Sequence, residues 1–283
     1  MQEFDYVAPS TVEEASRLLF EERSAIPLAG GTEIVVSLSN GKIDPSLLVD
    51  LRRLSGLTAI TEAEEWVEIG TLVSMSSIIE SALLSSLYPA LAMAAGQMGC
   101  WQVRNLATLG GNLCNASPSA DTFPPLLLYG AQLATQGPDG PRLLAFEKFL
   151  TGPGATSLFP GEILVSVRLP RPLPGLKSTY VRRQIRRSMD IPLVNLAVGV
   201  VREGEDNSVT EARICLGAVA PVPYRAEEAE VALLGRPLNP ETIERAAALA
   251  SESARAITDI RSSASYRTEM IRVFVRRALE ALG

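Results

Sequence analysis

Apolar residues at Val12, Ala15, Leu18 and Leu19 recur at helical spacing directly after Thr11-Val-Glu-Glu14. Thr11 and Glu14 form a capping box, so a helix is predicted to start there. "AIPLA" (25–29) is a short apolar strand that ends in Gly30-Gly31. "TEIVVSLSNG" (32–41) is a short helical or extended piece closed by Asn40-Gly41, and "SLLVDL" (46–51) is a second buried strand. These elements define a first α/β part over 1–53. "LTAITEAEEWVEIG" alternates around an acidic turn and predicts a hairpin. Residues 74–98 carry helical periodicity, interrupted near Tyr88-Pro89. "GAQLATQ" and "RLLAF" flank the turn PDGP (138–141) as a further hairpin, and "EILVSVRLP" (162–170) is a strong strand. A second α+β part therefore runs over 54–170.

"PRPLPG" (170–175) breaks the pattern and marks the last boundary. Beyond it, "STYVRRQIRR", "LVNLAVGVVRE" and "VTEARICLGAVA" predict three consecutive strands. Helices follow near 225–234, 240–255 and 265–282. Strands followed by helices predict a separate α+β domain over 171–283, with its helices on one face of an antiparallel sheet.

The charge changes the list of possible partners. The net charge is −6, which disfavours nucleic acid, whose binding needs a basic footprint. It equally disfavours an anionic membrane surface. No apolar run is long enough for membrane insertion. The N-terminus shows no secretory signal, so the expected compartment is cytoplasmic. The three cysteines are scattered and histidine is absent. Ser-His-Asp and Cys-His catalysis and all histidine metal sites are thereby excluded. If the protein does chemistry, a bound cofactor is expected to carry it.

Two stretches offer one. "PLAGGTEI" (27–34) and "ATLGGNL" (107–113) each place a glycine pair before a polar residue. Glycine lets backbone approach a ligand closely, and successive N–H groups turned to one side bind anions. A pair of such loops can clamp a diphosphate without lysine. Either loop alone reads first as a tight turn, and neither fits the dinucleotide or nucleotide fingerprints.

Together with "QVRNLATLGGNLCNASPSADTFPPLLLYGAQL", "TGPGATSLFPGEIL" and "RRSMDIPLVNLAV", the first loop resembles the FAD-binding subunit of the molybdenum hydroxylases. The resemblance covers nearly the whole chain. It implies a vanillyl-alcohol-oxidase-type FAD-binding fold of two α+β subdomains plus a C-terminal α+β domain. It also implies that Leu28, Ala29, Gly30, Gly31, Thr32, Glu33 and Ile34 wrap the FAD diphosphate through backbone amides. Glu33 is either a residue of this wrap turned away from the phosphates or a surface charge at a helix start. Thr108, Gly110, Gly111 and Asn112 would close the other side, with Asn115, Ser117 and Asp121 on the polar linker of FAD. Asp121 accepts from cofactor hydroxyls or caps the following helix.

The same resemblance puts Met98 near the flavin, where a core methionine is the alternative. It puts Leu164 against the adenine, where simple strand core is the alternative. A family lysine that reaches the flavin region aligns with Arg182, and arginine is not an equivalent substitute. Arginines 182, 183, 186 and 187 are alternatively ion-paired on a solvated sheet face.

The implied function is electron transfer. [2Fe–2S] clusters of a small iron–sulfur subunit would feed FAD in this chain. A large molybdenum subunit with a molybdopterin cofactor would oxidise the organic substrate. NAD⁺, quinone or another acceptor would take the electrons. "TGPG" and "MDIP" are most similar to the xanthine dehydrogenase-like branch. Two other functions fit the residues less well: a stand-alone flavin oxidase and a flavin-free assembly module.

Overall fold

The computed structural model describes residues 3–186 and 189–283. The chain forms two compact units. The first contains residues 1–77, 101–116 and 131–170. It holds β1 (Asp5–Val7), α1 (Val12–Glu21), β2 (Ile26–Leu28), α2 (Ile34–Ser39) and β3 (Leu47–Asp50), whose strands form a parallel sheet in the order β1-β3-β2. Sequence pattern misses β1 because its three residues are all exposed and carry no burial alternation. The capping box at α1 forms as expected: the Thr11 hydroxyl accepts from the Glu14 amide at 3.1 Å. The Glu14 carboxylate reaches one residue further back than expected, to the Ser10 amide.

The second sheet of this unit is antiparallel, in the order β4-β5-β10-β6-β7. Its strands are β4 (Ile60–Glu62), β5 (Trp66–Gly70), β6 (Gln132–Gly137), β7 (Gly140–Ala145) and β10 (Ile163–Pro170). A small hairpin, β8 (Leu150–Gly152) and β9 (Ala155–Thr156), lies between them in the chain. Leu47, Val49, Leu54, Leu57, Leu72 and Ile163 pack into one core with Ala15 of α1. Both predicted hairpins are present. The unit also holds α6 (Trp101–Leu106) and α7 (Leu109–Asn115).

The second unit contains residues 78–100, 117–130 and 171–283. Its sheet is β11 (Lys177–Arg183), β12 (Val194–Glu203), β13 (Ser208–Gly217) and β14 (Tyr224–Arg225), antiparallel throughout. Val194, Leu196, Val198 and Val200 of β12 pack with α9 (Glu227–Val231), α10 (Pro240–Glu252) and α11 (Ala264–Leu282).

These three helices share one face of the sheet, as expected, but the other face is covered as well. Val194–Val201 are buried on every position, which requires cover on both sides. The other side meets earlier segments of the chain. A Cβ on Gly199 would touch Leu128 of α8 (Phe123–Leu128) at 3.2 Å, and the Asn195 amide nitrogen reaches Ala120 O at 3.1 Å. The stretch 74–98 is broken into α3 (Met75–Glu80), α4 (Ala82–Leu87) and α5 (Pro89–Gln97), with Pro89 opening α5 where the periodicity is interrupted. No helix among the described residues is long and apolar enough to cross a membrane.

Candidate functional site

In the first unit, β2 and β3 run parallel and end together at Leu28 and Asp50. The glycine loop leaves the carboxyl end of β2, the edge of a parallel sheet where ligands usually bind. Gly31 has φ +73°, which a side chain would strain. Among the described residues, no acceptor takes the amide hydrogens of Ala29, Gly30, Gly31, Thr32, Glu33 or Ile34. The first amide in this stretch with a partner is Val35, which donates to Gly31 O at 3.1 Å. Six successive donors with no cation among them suit the oxygens of a diphosphate. Glu33 is exposed, and its carboxylate accepts from the Ser37 hydroxyl at 3.2 Å along α2.

The second glycine stretch is built differently. It is the first turn of α7, with Thr108 as N-cap. Thr108 Oγ1 accepts from the Gly111 amide at 3.0 Å. The Leu109 amide donates to Val73 O, Gly110 to Thr71 O and Asn112 to Thr108 O, at 2.8–3.0 Å. The expected amide clamp from Gly110, Gly111 and Asn112 is therefore not formed, because these donors are already used inside the protein. Its amides apart, this segment presents the Thr108 hydroxyl, the exposed side of Gly111 and the partly exposed Asn112 side chain.

The two stretches nevertheless meet. A Cβ on Gly30 would lie 1.8 Å from Leu106 O and 3.3 Å from Ala107 N. A Cβ on Gly110 would lie 1.6 Å from Thr71 Oγ1. Both glycines are thus demanded by packing of the chain on itself. Leu164 is buried in β10, next to a bulge opposite β6. Its neighbour Val165 accepts from the Thr71 amide at 2.8 Å, so β10, Thr71 and Gly110 form one hydrogen-bonded line. Asn115 ends α7 exposed. The next residue, Ala116, is left-handed at φ 49° and accepts from Gly154 of "TGPG" at 2.9 Å.

A cluster that spacing alone does not reveal lies at the same sheet edge. Tyr6 and Arg52 both bond the Asp50 carboxylate, Arg52 through Nε at 2.8 Å and Nη2 at 2.9 Å. Burial pushes the Asp50 carboxyl up. Hydrogen bonds from Arg52 and Tyr6 outweigh it and hold the carboxyl at about 2.

Ser117, Asp121 and Arg182 belong to the second unit. Asp121 does not cap α8; the N-cap is Thr122, and it makes no side-chain cap bond. Asp121 is buried and pairs with Arg182, whose side chain is 2% exposed. Tyr180 donates its hydroxyl to Asp121 Oδ1 at 2.5 Å. Burial pushes the Asp121 carboxyl up against the pull of Arg182.

The guanidinium of Arg182 is fully occupied. Nε donates to Gln184 Oε1 at 2.7 Å, and Nη1 donates to Gln97 O at 2.7 Å and to Asp121 at 2.9 Å. Nη2 donates to Asp190 O at 2.9 Å and again to Gln184. Arg182 thus has no N–H left to take over a lysine contact with the flavin, and it is not on a solvated face. The solvated ion pairing expected for these arginines holds for Arg186, exposed and 3.8 Å from Asp190. Arg183 instead donates to Tyr266, and Arg187 lies outside the described residues. Tyr180 escapes a search for charged motifs. Period-two alternation along β11 does place it on the face of Arg182.

The family described as the FAD binding domain in molybdopterin dehydrogenase matches residues 2–172, and that described as the CO dehydrogenase flavoprotein C-terminal domain matches 179–282. The xanthine dehydrogenase FAD-binding subunit of Escherichia coli O157:H7 is 32% identical over 276 residues, covering 97% of this chain and 94% of that one. The carbon monoxide dehydrogenase medium chain of Afipia carboxidovorans is 32% identical over 278 residues, covering 98% and 96%. Among solved structures, a chain of carbon monoxide dehydrogenase from Hydrogenophaga pseudoflava superimposes with a TM-score of 0.94 at 32% identity, over 99% of this chain and 97% of that one. The chain belongs to the family of FAD-binding medium subunits of the molybdenum hydroxylases.

Proposed function

We propose that this chain is the electron-transfer subunit of a cytoplasmic molybdenum hydroxylase of the xanthine dehydrogenase-like branch. Its partners are a small subunit with [2Fe–2S] clusters and a large subunit with the molybdopterin cofactor. Residues 1–53 and 54–170 hold FAD, and 171–283 form the C-terminal domain. Bound FAD supplies the exchange between one-electron donors and a two-electron acceptor such as NAD⁺ or a quinone, and that chemistry belongs to the flavin. The observation that carries this reading is the run of amides at Ala29–Ile34 with no acceptor among the described residues.

The chain's own residues bind and orient. Leu28 ends β2 and aims the loop, and Gly31 supplies the left-handed turn. The amides of Ala29–Ile34 donate to the diphosphate, and the Thr32 hydroxyl adds one donor. Thr108 contributes its hydroxyl hydrogen, and Gly111 leaves room for a phosphate beside the start of α7. Asn112, Asn115 and Ser117 serve the polar linker, and Leu164 packs on the adenine. Asp121 keeps one oxygen, Oδ2, whose one donor among the described residues is Arg182 Nη1. That oxygen can also accept a cofactor hydroxyl.

Intact glycine pairs do not by themselves argue for FAD, since Gly30 and Gly110 are required by packing. The test is therefore made on the cofactor. The native complex, purified from its source, should carry FAD, molybdenum and iron together. Its flavin band should bleach when the complex is reduced anaerobically. A complex with molybdenum and iron but no flavin would overturn the assignment.

A further inference from the structure

We propose that Arg182 is a positioning residue that sets the turn after α5, through Gln97 O, and does not touch the flavin. The inference rests on the FAD reading above and on the resemblance that puts Met98 near the flavin and not merely in the core.

Arg182 joins three stretches of the second unit that are distant in sequence. Nη1 holds the last carbonyl of α5 at Gln97 and the Asp121 carboxylate ahead of α8. Nη2 holds Asp190 O, and Nε holds Gln184 beyond β11. Asp190 in turn accepts from the amides of Ile185, Arg186 and Ile191 at 2.7–3.0 Å. Gln97 is followed by Met98 and then by Gly99 at φ +53°. The direction in which the chain leaves α5 is thus tied to a guanidinium with no freedom of its own. Its planar fork serves four acceptor residues at once, and a lysine, with three N–H groups on one nitrogen, cannot. The arginine also explains why Gln184 is needed: its oxygen takes two of the five N–H groups.

The experiment compares Arg182→Lys, Gln184→Ala and the double variant, each as the full complex. Two properties are measured: hydrogen exchange over residues 92–100 and the flavin midpoint potential. The expected result is an exchange rate raised about tenfold over 92–100 in Arg182→Lys, the effect of losing a charge-assisted hydrogen bond. Gln184→Ala should shift the potential in the same direction as Arg182→Lys, and the double variant should be non-additive. Unchanged exchange in Arg182→Lys overturns the proposal. So does a potential moved by Arg182→Lys but not by Gln184→Ala, which indicates direct flavin contact. A potential unmoved in every variant also overturns it, because the role is then only structural. A wild-type complex without flavin defeats the FAD reading instead, and the exchange measurement then decides the role of Arg182 by itself.

Discussion

Arg182 Nη1 lies 2.9 Å from both carboxylate oxygens of Asp121, and both side chains are buried. A pair of this kind is costly to break from one side, because the remaining charge keeps its burial and loses its partner. Asp121→Asn should therefore destabilise the protein by about 3 kcal/mol, read from urea unfolding. Helix content in the folded state should not change, since α8 is not capped by Asp121. A loss of helical signal in folded Asp121→Asn would restore the capping role. Replacing Asp121 and Arg182 together by apolar residues should cost less than the sum of the single changes.

The glycines of the two stretches should separate by experiment. Gly30→Ala forces a Cβ to within 1.8 Å of a backbone oxygen, and backbone cannot rotate away as a side chain can. The expected loss is at least about 2 kcal/mol, with or without flavin. Gly111 faces outward, and its Cβ would meet only Thr108 Oγ1, at 2.9 Å. Gly111→Leu should shift stability far less, while flavin content falls sharply. If flavin content in purified Gly111→Leu matches the wild type, Gly111 does not border the phosphate site.

Thr108→Val keeps the shape of the side chain and removes the acceptor for the Gly111 amide. The expected loss is about 1 kcal/mol, as for other N-caps. Flavin dissociation should quicken as well, because the freed amide cannot replace the lost hydroxyl donor. A variant as stable as the wild type would show that the cap bond contributes nothing.

Acid stability should depend on Asp50. Its carboxyl is held at about 2, below its ordinary value. A lowered folded-state pKa favours the folded protein wherever the unfolded carboxylate is ionised. This contribution is present above about pH 4 and lost as the pH falls towards about 2. Its size is about 1 kcal/mol, because the partner Arg52 is largely exposed and screened. Asp50→Asn should flatten that part of the stability–pH curve, as followed by urea midpoints between pH 2 and pH 5. A curve identical to the wild type would remove Asp50 from the acid response.

Local chemistry determined much of this protein from sequence. The Thr11 cap, both predicted hairpins, the strand at 163–170 and the three long C-terminal strands follow from side-chain periodicity and turn residues. These signals act over a few positions. The family also showed in short stretches of sequence, above all the two glycine segments. Tertiary structure decided what those residues do. Gly30 and Gly110 are glycines because distant backbone and Thr71 occupy the space where a side chain would sit. The amides of the second stretch are used up because Thr71 and Val73, some forty residues earlier, lie beside α7. Asp121 meets Arg182 across sixty residues, and residues 78–100 and 117–130 cover a sheet formed almost a hundred residues later. Periodicity reports which side of an element is apolar, and it carries no information about which remote segment will come to cover that side.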